Sequence, residues 1–171
     1  MHESQMADCE VDDTTQASAA SGYIAADKFD VVQFAPPPEL APFVTQIYFF
    51  RCEEEFIQDR QPAALGHLVF LLSGTGTLQF QDAQPKPISG AILFGPGLAA
   101  AEFKFKGPLY DLGFALSPLG FVALTGKPAN QYADRAVAAA DLFGPEIDTL
   151  EQAFSKGHRD GSMRIAEMVE Q

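Results

Sequence analysis

Three histidines, His2, His67 and His158, are the first residues to weigh for chemistry. A metal site on a strand pair needs two histidines close together, an acid and a further histidine, because the ligands must converge on one ion. Here one histidine lies in a polar N-terminal segment, one enters an apolar strand and one falls in what reads as a linker between helices. They do not assemble into a ligand set, so neither a metal nor another cofactor is expected. Nucleophilic catalysis has no better support. There is no Gly-x-Ser-x-Gly, and "SGTGTL" at Ser73–Leu78 lacks the lysine and following helix of a phosphate loop. Paired catalytic carboxylates must converge in a cleft. Asp12-Asp13 and Glu53-Glu54-Glu55 are only neighbours in sequence and read as solvated charge. The expectation is a protein that is not an enzyme.

The aromatic residues offer a different chemistry. The chain has 15 Phe, four Tyr and no Trp. An interior rich in Phe with few polar groups suits a small apolar or aromatic guest, and it equally suits a filled core. Strand phase selects Tyr48, His67, Phe80, Phe103 and Phe114 as the candidate pocket residues.

The elements that must position them follow from periodicity. Residues 1–22 carry five acids, no Lys or Arg and little large apolar surface, so they read as a disordered leader. "FDVVQF" alternates as a strand. "APPPELAPFV" suggests a short helical turn, since proline suits the first turn of a helix. "TQIYFFR" has strand composition, and "HLVFLLS" is continuously apolar, as in a strand buried on both faces. "GTG" then turns the chain. "TLQFQD", "SGAILFGPG", "AEFKFKG" and "LYDLGFALS" follow as separate short strands punctuated by Gly and Pro, a pattern of barrels and sandwiches. Residues 23–116 are therefore expected to form a mainly antiparallel β-unit.

At Ser117 the period changes from two to 3.6. Ser117 can cap a helix, Pro118 suits its first position, and Gly126 suits the left-handed position that ends it. A second short helix is expected near 129–133. A third starts near Pro145 and ends at Gly157, with Ile147, Leu150 and Phe154 on one stripe. A fourth begins after Ser162 and has barely two turns at Gln171, which reads as a chain that continues. Residues 117–171 thus form a helical layer, and the fold class is α+β. The stripe has two readings, a homodimer contact or a cover for the chain's own sheet.

Charge and cysteine content narrow the partners. Net charge is −12, from 23 acids and 11 bases. Without a basic stripe, this chain is not expected to bind nucleic acid by itself. Cys9 and Cys52 show neither a zinc spacing nor a disulfide framework. No basic start precedes an apolar segment, and no apolar run reaches the roughly 18 residues that span a bilayer. No membrane partner is expected, and the expected compartment is the cytoplasm.

These pieces, in this order, resemble the N-terminal domain of AraC-type (AraC/XylS family) transcriptional regulators. The resemblance rests on Pro36-Pro37-Pro38-Glu39-Leu40-Ala41-Pro42-Phe43-Val44 followed by Ile47-Tyr48-Phe49-Phe50, and on the apolar strand His67–Leu72. It also rests on Phe94-Gly95-Pro96 and on the run from Gly113 to Pro128, which carries Ser117-Pro118, Gly120, Leu124 and Gly126. "DLFG" at Asp141–Gly144 and "RIAEMVE" at Arg164–Glu170 follow. The run has one more residue between Phe114 and Pro118 than the family's commonest form. The resemblance covers about residues 34–171. It implies a cupin-like barrel of the jelly-roll type followed by helices. It further implies effector sensing, homodimerisation or both, with helix-turn-helix units beyond this chain binding DNA. Two rivals stand beside it: a metal-free cupin-type isomerase or lyase, and a dimerisation module with a filled barrel.

Overall fold

The computed structural model describes residues 28–81 and 83–169. The leader expected at residues 1–22 lies outside the described residues, as do His2 and Cys9. Among the described residues, eight strands form one antiparallel sheet: β1 (Phe29–Phe34), β2 (Val44–Cys52), β3 (Phe56–Gln61), β4 (His67–Phe80), β5 (Lys86–Ile88), β6 (Ala91–Phe94), β7 (Ala101–Leu116) and β8 (Ala136–Ala138). Four α-helices accompany it there: α1 (Pro118–Thr125), α2 (Ala140–Phe143), α3 (Glu146–Asp160) and α4 (Ile165–Val169). A single 3-10 turn covers Ala129–Tyr132, where a second short helix is expected. The α+β class therefore holds. The sheet is open, running β1-β2-β7-β4-β6-β8, with β3 added to β7 and β5 to β4.

The backbone of the sheet is the β4–β7 pair. Sequence reasoning cuts each of these strands in two, at Gly74-Thr75-Gly76 and at Gly107-Pro108. In the structure both run through, over 14 and 16 residues. Pairing continues from His67↔Ala115 to Phe80↔Ala101, with register shifts near Ser73 and Thr75. Gly74, at φ +89°, takes a backbone conformation that a side chain would disfavour. The shifts bend the ribbon. Its proximal half pairs with β2 and its distal half with β3. β3 and β8, neither expected from sequence, extend the sheet, β3 along the distal half of β7 and β8 along β6.

Two cores result, one on each face. On one face Ile47, Phe49, Phe70, Leu72, Leu93 and Leu112 meet the helices through Phe121, Phe154 and Met168. On the other, Cys52, Ile57, Val69, Leu71, Leu78, Ile92, Phe94, Phe105 and Leu109 form a second cluster. Val69 and Leu78 lie far apart along β4 yet share that cluster, which requires the distal half to curl over the proximal one. Cys52 is a buried free thiol.

The strand-to-helix switch at Ser117 is as expected. The Ser117 hydroxyl accepts from the Gly120 N–H at 3.0 Å and donates to the Pro42 carbonyl at 2.7 Å. Gly126 closes α1 at φ +68°. "APPPELAPFV" forms the expected short helical turn, with Ala41 N–H on the Pro37 carbonyl and Val44 N–H on that of Leu40. One expectation on helices needs correction. The third helix does not stop at Gly157 but runs to Asp160, capped by Gly161. His158 is consequently not in a linker. It sits in the last turn of α3, edge-on to Tyr110 at 4.9 Å and near Phe49 at 5.7 Å.

The stripe on α3 bears on its two readings residue by residue. Phe154 is 2% exposed and stands edge-on to Phe70 at 5.3 Å. Ile147 and Leu150 are partly buried against the same cluster. A residue sealed inside its own chain cannot meet a partner, so Phe154 follows the second reading: it covers its own sheet.

A candidate small-molecule site in the curled sheet

Between the two halves of the ribbon lies a cavity of about 300 Å³. Strand alternation builds its wall. β2 contributes Tyr48 and Phe50, β4 contributes His67, Val69, Leu71 and Leu78, and β7 contributes Phe103, Phe105, Leu109 and Asp111. Phe29, Ile88 and Phe94 complete the apolar surface, while Asp59, Arg60 and Gln61 of β3 supply polar groups.

Of the five residues chosen by strand phase, Tyr48, His67 and Phe103 line this cavity. Phe80 lines a smaller recess beside it, shared with His67 and Phe94. Phe114 points to the other face, where its ring is edge-on to Phe70 at 6.0 Å. The cause is the continuity of β7. With no break at Gly107-Pro108, Phe103 and Phe114 have opposite parity on one strand.

His67 is fixed rather than free. A carbonyl can only accept, so Nδ1 donates to the Leu65 oxygen at 2.9 Å, and Nε2 accepts from the Gln61 amide at 2.8 Å. Burial holds the imidazole below its ordinary pKa, against the Leu65 bond, which raises it. The ring stacks on Phe94 at 4.9 Å. It is a neutral, oriented wall of the cavity.

Asp111 is not among the residues that strand phase selects. It sits between Phe50 on β2 and Leu71 on β4, its two cross-strand partners. Among the described residues, its Oδ1 is sealed from solvent and has no hydrogen-bond partner. Burial alone pushes its carboxyl up from 3.8 to about 7. Tyr48 is nearby. Burial, and then the Asp111 charge, raise its phenol, which stays protonated as a donor. The one available signal in sequence was an acid in phase with Leu109 on an apolar strand.

Gly113 makes room for Tyr48. The two are cross-strand partners, and a β-carbon at Gly113 would overlap the Tyr48 ring. Gly113→Ala should therefore displace the ring, at a cost of roughly 1–3 kcal/mol for overpacking. In a Tyr48→Ala background the same Gly113→Ala change should cost little in a denaturant titration. Equal stability of the single variant and the parent would refute the contact. Among the described residues no group of three His, Cys, Asp or Glu is placed to hold a metal ion, and no helix is long and apolar enough to cross a membrane.

A family model described as "Domain of unknown function (DUF6597)" matches residues 32–138, more than half of the chain. No curated protein matches it. The solved plu4264 protein of Photorhabdus luminescens is similar over 72% of this chain and 94% of its own, at 11% identity and a TM-score of 0.41. That likeness is too slight to carry an argument.

Proposed function

The chain belongs to the DUF6597 family, and from that premise we propose that it is the effector-sensing domain of a cytoplasmic AraC-type transcription regulator. The curled antiparallel sheet serves as its cupin-like scaffold. The observation that carries this reading is the cavity of about 300 Å³, lined by aromatic rings with a few polar groups at fixed places. Such a site is costly to keep as packing alone. A guest would act by binding two arrangements of the complete regulator unequally, for instance two arrangements of a homodimer. The test is a small-molecule screen by thermal shift. A guest at 100 times its Kd should add about 2.7 kcal/mol of stability. It should also move the amide resonances of Val69 and Leu109. A library with hits only at surface residues would refute the reading.

DNA contact would belong to helix-turn-helix units outside this chain. At −12 net charge, the isolated chain should show no sub-micromolar, salt-sensitive band shift with duplex DNA at physiological salt. Such a shift would contradict the proposal.

One observation favours a second reading. A carboxyl with a pKa near 7 beside a buried phenol is also what a metal-independent isomerase or lyase would use as its acid or base. Turnover of a bound guest, lost in Asp111→Asn, would establish that reading over pure sensing.

A further inference from the structure

If the cavity is a small-molecule site, the structure also restricts the charge of what it takes. We propose that the guest is an organic ammonium cation on a compact apolar or aromatic body, held by Asp111 and the ring face of Phe50. This rests on the sensing reading above and deepens it.

A buried carboxylate ordinarily collects donors, because desolvation without them is expensive. Asp111 collects none at Oδ1. Its flanks offer none either, since Phe50 and Leu71 face it across the two neighbouring strands. No cation offsets its burial, which is the sole cause of its raised pKa. Arg60 lines the same cavity but belongs to the distal half, where its register partner is Glu102. Tyr48 is near enough to feel the Asp111 charge, yet no hydrogen bond reaches Oδ1, so that oxygen is open to a group that enters the cavity. An ammonium supplies both a charge and several donors. Phe50, stacked on Phe29 at 5.6 Å, offers an aromatic face beside that charge, a further attraction for a cation. The acidic chain, at −12, favours the approach of cations over anions.

The other titratable groups facing the cavity are Tyr48 from β2, Asp59 and Arg60 from β3, and His67 from β4. Tyr48 is held protonated and His67 is held below its ordinary value, so neither competes for the cation's role.

The test uses three probes of one shape: 3-phenylpropylammonium, 3-phenylpropanol and 3-phenylpropanoate. Each is titrated calorimetrically into the whole chain at pH 6 and pH 8. At pH 8 the ammonium should bind at least about tenfold more tightly than the alcohol or the carboxylate, one factor of ten being 1.36 kcal/mol. Its affinity should rise about tenfold from pH 6 to pH 8 as Asp111 ionises. Asp111→Asn, which keeps the shape of the side chain, should erase the preference while leaving alcohol binding in place. If the alcohol or carboxylate binds as well as the ammonium and shifts the Val69 and Leu109 amides, the charge inference fails and the sensing reading stands. If no probe binds at millimolar concentration, both fail. A preference that survives Asp111→Asn also overturns the assignment.

Discussion

Asp111→Asn is expected to make the protein more stable at pH 8, by about 2–4 kcal/mol. The folded-state pKa of Asp111, about 7, lies above its ordinary value of 3.8. The folded chain thus holds this proton more tightly than the unfolded one. Stability linked to the proton is complete below the unfolded value and is lost as pH rises through the folded one. The gap between the two corresponds to roughly 4 kcal/mol. The side chain as a whole keeps some solvent contact, which lowers the expected gain. Asparagine has no proton to lose, so its stability should not fall between pH 4 and pH 7 on this account. The depressed His67 works in the opposite direction, favouring the fold as pH rises. It is common to both proteins and cancels in the difference. Urea titrations of both at pH 5, 6, 7 and 8 measure the effect. Two curves that stay parallel would overturn it. A residue that costs stability and serves no packing role is the kind that function retains.

Phe154→Ala should cost about 3–5 kcal/mol, as large-to-small changes of buried rings do. Phe154 is edge-on to Phe70 at 5.3 Å, and Phe70 is edge-on to Phe114 at 6.0 Å. This series of rings ties α3, the longest helix, to the centre of the sheet. Truncation leaves a cavity at that junction, and the surrounding side chains relax only in part. Leu150→Glu, about one turn away on the same stripe, should also destabilise the fold, because it places a charge against the helix-facing core. Sedimentation with thermal melting separates this from the dimer reading of the stripe. Unchanged mass with a large loss of stability is expected. A fall in mass with an unchanged melting temperature would show instead that Leu150 faces a partner.

What the sequence determined by itself is local. Ser117, Pro118 and Gly126 specify the start and the end of α1 through a hydroxyl acceptor, a fixed φ and a left-handed cap, and the structure places all three there. The apolar run His67–Leu72 specifies a strand with both faces covered, and both faces are covered, by different cores. Periodicity reads such features because they depend on residues a few positions apart. Where a strand may continue depends instead on long-range pairing. Gly74 and Gly107-Pro108 look like ends. Pairing to neighbours far away in sequence kept the hydrogen-bond ladder running past them and turned the breaks into a bend. That continuity moved Phe114 to the helix side and set Asp111 into the cavity. A carboxylate on a strand reads as solvated in any sequence. Only the curl of the distal ribbon seals its Oδ1 from solvent.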